Sequence, residues 1–305
     1  MIKEQRKAKA KAIAVKLAYV ILLLLTYTLG YLAASYSSYS SSSSSYPPLS
    51  HTSAPSIVQL ANLPNQLDHF RVSTHCADRP VQPGLVRQTI LDRVFNSTSP
   101  YHDFPPPHVR GRLRPKRIKG WGSNGAVFEN LIRKVKPRTI IEVGTFLGAS
   151  AIHMANLTRQ LGLQTQILCI DDFRGWPGFR DQFRDISMVN GDVLLLHQFM
   201  QNVVSVNFTD SVLPVPFSTG SVLDKLCEWG IFGDLIEVDA GHDFNSAWSD
   251  INRAYRILRP GGVLFGHDYF TAAADRGVKR AVTLFARVHN LKIRIDGQHW
   301  VMDPA

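Results

Sequence analysis

The chain has 305 residues, 45% of them hydrophobic, which suffices for one sizeable α/β domain with appendages and is short for two catalytic domains. Its formal charge of +10 comes from residues 1–16, which carry a net +5, and residues 110–119, which carry +6, so the remainder carries −1. This near-neutral remainder excludes nucleic acid as an expected partner. The cysteines Cys76, Cys169 and Cys227 show no CxxC or zinc-ligand spacing, so we expect neither a disulfide framework nor a structural zinc. We expect Cys169 to be a buried apolar residue.

An uncharged apolar segment follows the first basic stretch. Residues 17–34 read LAYVILLLLTYTLGYLAA, which is 18 residues, about the minimum that spans ~30 Å of hydrocarbon. The basic residues on its N-terminal side predict a single-pass anchor in the lipid bilayer, with residues 1–16 cytoplasmic and the rest luminal, in the Golgi or the endoplasmic reticulum. A cleaved signal peptide and an organelle-targeting sequence are the alternatives.

The region between the anchor and the predicted domain is irregular. Residues 35–50 are rich in serine and predict a flexible stalk. Residues 51–119 form a loop-rich extension, with one helix predicted near residues 86–95. The basic residues 110–119 suit either contact with acidic glycans or phosphates, or a solvated strap in front of the domain.

Three glycosylation sequons begin at Asn96, Asn156 and Asn207. Such acceptor sites suit a luminal domain. Because Asn156 falls within a predicted helix, Asn96 and Asn207 are the better candidates for modification.

From Gly120 onward, short β-rich apolar runs alternate with amphipathic helical stretches. This alternation predicts an α/β fold over residues 120–305, with a Rossmann-like, doubly wound sheet of seven strands that ends in an antiparallel hairpin around Asp296-Gly297. The predicted strands are residues 139–143, 166–171, 213–217, 235–238 and 263–267, followed by KIRI and HWVM. The predicted helices are residues 124–135, 149–161, 222–229, 247–258 and 278–288.

The first predicted strand leads into a glycine-containing turn, TIIEVGTFLGAS. Glu142 lies in this strand, Gly144 directly follows it, and Gly148 lies where the next helix begins. Glycines let a backbone approach a ligand closely, and the free amides of a helix N-terminus favour polar or anionic groups. The turn therefore predicts part of a cofactor site.

The second predicted strand ends in ILCIDD. A carboxylate at this place suits the two ribose hydroxyls of an adenosine cofactor, and we favour Asp171 over Asp172. A helix cap or a solvated loop acid is the structural alternative. After the third strand, Ser218 and Thr219 suit either the adenine edge or a cap of the following helix.

Polar residues also follow the next two strands. The fourth strand runs into Asp239, His242 and Asp243, and the fifth ends in His267 and Asp268. Because a ligand crevice forms at the carboxyl ends of parallel strands, these residues predict a catalytic cluster there. A purely structural role is the alternative.

Four segments together resemble the class I S-adenosylmethionine-dependent methyltransferase superfamily. They are EVGTFLGAS, IDDF, VDAGHDFNSAWSDI and LRPGGVLFGHDYF. The chain is particularly similar to the branch with I-D-G-x-H and G-H-D-Y strand ends, over about residues 120–303. Two departures from that branch are Gly241, where an acid is usual, and Phe244, where tyrosine is common.

The resemblance implies that Glu142, Gly144 and Gly148 bind the methionine part of S-adenosylmethionine and that Asp171 binds its ribose. Some relatives hold a divalent cation with carboxylates that correspond to Asp239 and Asp268, which would bring Mg²⁺ to this site. Gly241 puts metal dependence in question, because it replaces an acid.

The resemblance also implies methyl transfer to an acceptor, for which the chain must position a hydroxyl and remove its proton. His242 is the preferred base and His267 the second choice. The predicted location favours a glycan or small-molecule hydroxyl or carboxylate as acceptor. A non-catalytic binding scaffold and a hydroxylase-like relative are the alternatives.

Overall fold

The alternating pattern folds as a sheet with helices on both faces. The computed structural model describes residues 75–175 and 192–303, together with positions 26, 28, 188 and 189. The predicted anchor and stalk lie outside this part of the chain, except for Thr26 and Thr28. Among the helices of the described residues, none is long and apolar enough to cross a bilayer. Val72–Ala305 forms one unit by itself, and the elements below belong to it.

The described strands form a mixed seven-stranded sheet in the order β5-β2-β1-β6-β7-β9-β8, and β3 pairs with β4 in a separate two-stranded ribbon. The strands are β1 Thr139–Val143, β2 Gln166–Ile170, β3 Met188–Val189, β4 Asp192–Val193, β5 Val212–Val215, β6 Gly233–Val238, β7 Leu258–Gly266, β8 Ile293–Asp296 and β9 His299–Met302. The helices are α1 Val86–Val94, α2 Pro107–Arg110, α3 Ala126–Val135, α4 Ala149–Gln160, α5 Leu194–Ser205, α6 Thr219–Glu228, α7 Phe244–Arg256 and α8 Ala273–Val288.

The central parallel strands are buried on both faces. Every residue of β1 and β2 is buried, as is typical of strands that helices cover on both sides. Alternate residues enter different cores: Ile141 packs with α1, α6, α7 and α8, whereas Ile140 packs with α3, α4 and α5. The strand pair β8–β9 closes the edge beyond β7 in antiparallel fashion, as the Asp296-Gly297 signal predicted.

Each predicted helix is a helix and each predicted strand is a strand in the structure, and the bounds of β1 are confirmed to the residue. Strand β7 begins at Leu258, five residues before the predicted start at residue 263, because Arg259-Pro260-Gly261-Gly262 continues along β6 as an irregular strand. Helix α8 begins before residue 278, although three residues near its start are left-handed. The prediction missed α5 and the β3–β4 ribbon, and the helix predicted near residues 86–95 is α1.

The expectation of no disulfide is wrong. Cys76 and Cys227 are bonded across 151 residues of sequence, while Cys169 is free and buried as predicted. Backbone hydrogen bonds hold the same contact, from Ala77 N to the Cys227 carbonyl at 2.9 Å and from Val81 N to the Gly230 carbonyl at 2.8 Å. Spacing alone could not reveal the pair, because only folding brings the extension against the end of α6.

Replacing both disulfide cysteines, Cys76→Ser with Cys227→Ser, should lower the free energy of unfolding. A cross-link that closes a loop of this length contributes up to about 5 kcal/mol in the chain-entropy description. Urea unfolding with and without reductant measures the effect, and the double variant should no longer respond to reductant. Cys169→Ala is the control, since it should keep the response. Equal unfolding midpoints for oxidised and reduced wild type would contradict a stabilising disulfide.

Candidate functional site

The strand register brings the predicted site residues to one edge of the sheet. Val143 of β1 pairs with Ile170 of β2 and with Val238 of β6, and Val238 pairs with Gly266 of β7. The next residue of each strand therefore lies at the same carboxyl edge. These four residues are Gly144, Asp171, Asp239 and His267.

The two glycines of the β1–α4 turn are required by their neighbours in the fold. Gly144 has φ +89°, and a Cβ there would lie 2.1 Å from the carbonyl oxygen of Asp239. Gly148 has φ +80°, and its Cβ would lie 2.8 Å from the ring of Phe199. Any other residue would be strained and would collide at either position. Contact of these glycines with a cofactor stays a prediction.

Glu142 is fully buried beneath the turn. Its carboxylate accepts hydrogen bonds from the hydroxyls of Thr145 and Ser150. Burial raises the pKa of Glu142 to about 7. Its register partner Glu237 is also buried, and burial together with the nearby Glu142 carboxyl raises the pKa of Glu237 well above its ordinary value. The sequence interpretation missed Glu237, although a carboxylate inside the apolar run LIEV was a signal.

Asp171 ties the end of β2 to the β1–α4 turn. Its carboxylate accepts hydrogen bonds from the backbone N–H groups of Thr145 at 3.2 Å, Phe146 at 2.9 Å and Phe173 at 2.8 Å. Burial raises the pKa of Asp171 despite these bonds. Asp172 is exposed and accepts from Arg174 N at 3.0 Å. Asp171 thus has a structural role, although it is neither the helix cap nor the solvated loop acid considered above, and its ribose role stays a prediction.

The residues proposed for the adenine edge follow β5. Ser218 is the N-cap residue of α6 but its side chain makes no capping hydrogen bond, lying exposed with Oγ 2.8 Å from that of Ser221. Thr219 donates a hydrogen bond to Asp250 at 2.7 Å. The fold thus accounts for Thr219 and leaves the hydroxyl of Ser218 at the surface.

Two histidines and two aspartates meet where β6 and β7 end. The Nε2 atom of His242 lies 3.0 Å from Oδ2 of Asp268 and 3.9 Å from Oδ1 of Asp239. On the other side, Nδ1 of His267 lies 3.3 Å from Oδ2 of Asp268. The predicted juxtaposition of these strand ends is confirmed. We call Asp239, His242, His267 and Asp268 the polar cluster.

Two neighbours of the polar cluster have structural roles. Asp243 caps α7, accepting hydrogen bonds from Asn245 N at 3.0 Å and Ser246 N at 3.1 Å. Gly241 packs against this first turn, and a Cβ there would lie 2.4 Å from Cβ of Ser246. The acid that is usual at position 241 would therefore not fit here without a shift of α7.

The members of the polar cluster shift one another's pKa values. Burial raises the pKa of Asp239 to about 6. Contact with the Asp268 carboxylate raises the pKa of His242 and of His267. Burial alone would raise the pKa of Asp268, but the two imidazoles outweigh it and hold that pKa below its ordinary value. Asp268 is therefore the anionic centre that both histidines share.

His267 lies under a glycine-rich loop. Its side chain is 6% exposed, and neither ring nitrogen makes a hydrogen bond of good geometry with the described residues. A Cβ at Gly122 would lie 2.5 Å from Nε2, and the ring of His299 is centred 4.8 Å away. Burial first, and then His267, lowers the pKa of His299 to about 4. His242, whose side chain is 44% exposed, is the more accessible of the two candidate bases.

The polar cluster has a donor set that suits a divalent cation. One ligand atom each from Asp239, His242 and Asp268 lie within 4.8 Å of one another. Mg²⁺ prefers oxygen ligands, whereas imidazole beside carboxylates also suits Mn²⁺ or Zn²⁺. The residues fit such an ion, and position 241 adds no third carboxylate.

Comparison with known proteins agrees with this geometry. Residues 141–269 match a family described as a methyltransferase domain, and this segment runs from within β1 to just beyond β7 and contains the whole polar cluster. No curated protein gives a significant sequence match.

The chain is also similar to solved structures of low identity. Cofactor-bound Rv0187 from MTB is 18% identical, with 74% of this chain and 96% of that chain covered and a TM-score of 0.44. The O-methyltransferase from Bacillus cereus in complex with SAH is 16% identical, with coverage of 72% and 97% and a TM-score of 0.43. The O-methyltransferase TomG from Streptomyces achromogenes in complex with SAM is 14% identical, with coverage of 79% and 97% and a TM-score of 0.43. Because these TM-scores are below 0.5, the match to the methyltransferase-domain family is what supports a methyltransferase domain over residues 141–269.

Asp171→Ala should weaken binding of S-adenosylmethionine by about 1 to 3 kcal/mol, the cost of removing a charged hydrogen-bond partner. It should also lower the free energy of unfolding, because three backbone N–H groups lose their acceptor. Calorimetry and urea unfolding measure the two effects. Asp172→Ala is the matched control and should change neither. If Asp172→Ala weakens binding and Asp171→Ala lowers only stability, the ribose contact belongs to Asp172.

Proposed function

We propose that the chain is an S-adenosylmethionine-dependent O-methyltransferase. The observation that carries this proposal is the polar cluster, which lies beside the β1–α4 turn at the carboxyl edge of the sheet. Ligands of open α/β sheets bind at this edge. Buried carboxylates and an imidazole without a well-aligned partner are costly to a fold and are typical of functional sites.

In this proposal the chain holds the cofactor along the ends of β1, β2, β5 and β6. Glu142, Gly144 and Gly148 line its methionine part, Asp171 takes the ribose, Ser218 meets the adenine edge, and Asp239 lies near the reacting end. When bound, S-adenosylmethionine supplies the methyl group from its sulfonium. The task that remains for the chain is to align an acceptor oxygen with that group and to take its proton.

His242 is the proposed base. Its side chain is 44% exposed, and the Asp268 carboxylate beside Nε2 stabilises the imidazolium that forms when the other ring nitrogen, Nδ1, takes up the acceptor proton. His267 contacts the same carboxylate from the buried side, so it holds Asp268 in place and is the second candidate. A divalent cation at Asp239, His242 and Asp268 would instead lower the pKa of the acceptor hydroxyl.

The proposed acceptor is a hydroxyl or carboxylate of a glycan or small molecule in the secretory pathway. Residues 17–34 are the proposed anchor in the lipid bilayer. The Cys76–Cys227 disulfide supports this location, because such bonds persist in oxidising compartments. Two of the three sequon asparagines also support it: Asn96 and Asn207 are exposed in turns that follow helices, whereas Asn156 lies within α4.

His242→Ala should lower turnover by roughly 10² to 10⁴ and leave cofactor affinity nearly unchanged, because a general base acts on the chemical step. Isothermal calorimetry with S-adenosylmethionine measures binding, and transfer of a labelled methyl group to a glycan extract measures turnover. Binding without any transfer would favour a non-catalytic scaffold, and absence of binding would refute the proposal.

A metal-dependent reaction is the competing mechanism, and it has a different signature. In that case Asp239→Asn and Asp268→Asn are the damaging changes, and EDTA inactivates the wild type until Mg²⁺ or Mn²⁺ is added back. With His242 as base, the wild type keeps its activity in EDTA. Full activity in all three variants would assign the polar cluster a structural role.

Residues 1–50 fused to a soluble reporter should keep the reporter in the membrane fraction. In microsomes the reporter should be protected from external protease, because the basic N-terminus stays in the cytoplasm. The same fusion with two lysines introduced within residues 17–34 is the control, since charge at the centre of a span opposes insertion. A reporter that is released or digested would contradict the proposed topology.

A further inference from the structure

A large groove lies next to the residues that cover His267 of the polar cluster. Its volume is about 1110 Å³, and it lies among residues 118–126, α4 and the β8–β9 turn. This is more than the ~300–1,000 Å³ of ordinary small-molecule pockets. Both Ala149 and Arg159 line it, and these two residues, ten positions apart in α4, are separated by about 15 Å at a rise of 1.5 Å per residue. The groove is thus suited to a ligand with several linked units.

Three side-chain amides are among the polar groups that line the groove. Asn124, Asn156 and Gln298 line it, and none of the three side chains makes a hydrogen bond to another described residue. Each amide offers two donors and an acceptor. Vicinal hydroxyl groups, each a donor and an acceptor, match such amides.

Beside the amides, the groove is lined by apolar side chains and by the charged groups of Lys119, Arg159 and Asp296. Ile152 and Phe208 line it, and the guanidinium of Arg159 lies 4.1 Å from the centre of the Phe208 ring. A sugar ring presents C–H groups on its faces and hydroxyls at its rim, which suits this combination. An acceptor that is apolar throughout would leave the three amides without partners, at a cost in free energy.

The groove reaches the polar cluster at one end. Gly122 and His299 both line the groove and both lie next to His267, whose Nε2 atom would be 2.5 Å from a Cβ at Gly122. This nitrogen has no hydrogen bond among the described residues although its side chain is almost completely buried. A ligand in the groove therefore lies one loop away from the cluster where the proposed chemistry takes place.

We propose that this groove binds an oligosaccharide, the part of a glycan acceptor that is not itself methylated. The proposal rests on the proposed function and names its substrate class. It also assigns Asn124 and Gln298 a role in acceptor binding and predicts that Asn156 carries no attached glycan, since one would fill the groove.

Binding of maltohexaose, chitohexaose and hyaluronan hexasaccharide to the full chain tests this proposal. Calorimetry should detect at least one of them, and the hyaluronan arm distinguishes an acidic ligand that pairs with Arg159 from a neutral one. Asn124→Ala combined with Gln298→Ala should weaken binding about tenfold, because two hydrogen bonds are lost. Both side chains are exposed, so the variant should fold. Gln160→Ala, an exposed amide of α4 outside the groove, is the matched control.

The affinity for S-adenosylmethionine should be equal in wild type, double variant and control. Failure of all three hexasaccharides to bind, equal weakening in the control, or a glycan on Asn156 in mass spectra would overturn the proposal. Hexasaccharide binding without cofactor binding would refute the methyltransferase and leave the groove assignment intact. The two proposals therefore fail separately.

Discussion

The close approach of three strand ends is the constraint on which the site depends. A Cβ at Gly144 would lie 2.1 Å from the carbonyl oxygen of Asp239, and one at Gly266 would lie 2.2 Å from that of Val238. Without side chains at these two positions, β1 and β7 pack tightly against the end of β6. The polar cluster can form because this packing brings the residues after β6 and β7 into contact.

Charge burial follows directly from that packing. Glu142 and Glu237 are register partners on adjacent central strands, and Asp239 lies two residues beyond Glu237. Three carboxyl groups thus lie in or next to an apolar core, where burial disfavours their ionised forms. Asp268 differs because two imidazoles contact it and favour its charge. The site therefore combines a stable anion with acids that readily hold protons.

Residues 75–119, which precede the predicted domain, are part of the same unit as that domain. The disulfide and the backbone hydrogen bonds around Ala77 and Val81 attach it to the end of α6, and Arg259 adds a hydrogen bond from its side chain to the Val81 carbonyl at 3.1 Å. Farther along, the loop with Gly122 covers His267 and forms one wall of the large groove. The extension thus stabilises the domain, and the loop limits access to its site.

The sequence by itself determined the class of fold and the strand ends that carry polar groups, because hydrophobic periodicity and turn residues are local properties. It identified β1 to the residue and indicated candidate site residues, namely His242, His267, Asp239 and Asp268. Only the tertiary structure decided what each group contacts. Asp171 holds a turn and Asp243 caps a helix, since their partners are backbone N–H groups that folding supplies. The Cys76–Cys227 bond, Glu237 beside Glu142 and the amide-lined groove join residues far apart in the chain, and no local pattern encodes such contacts.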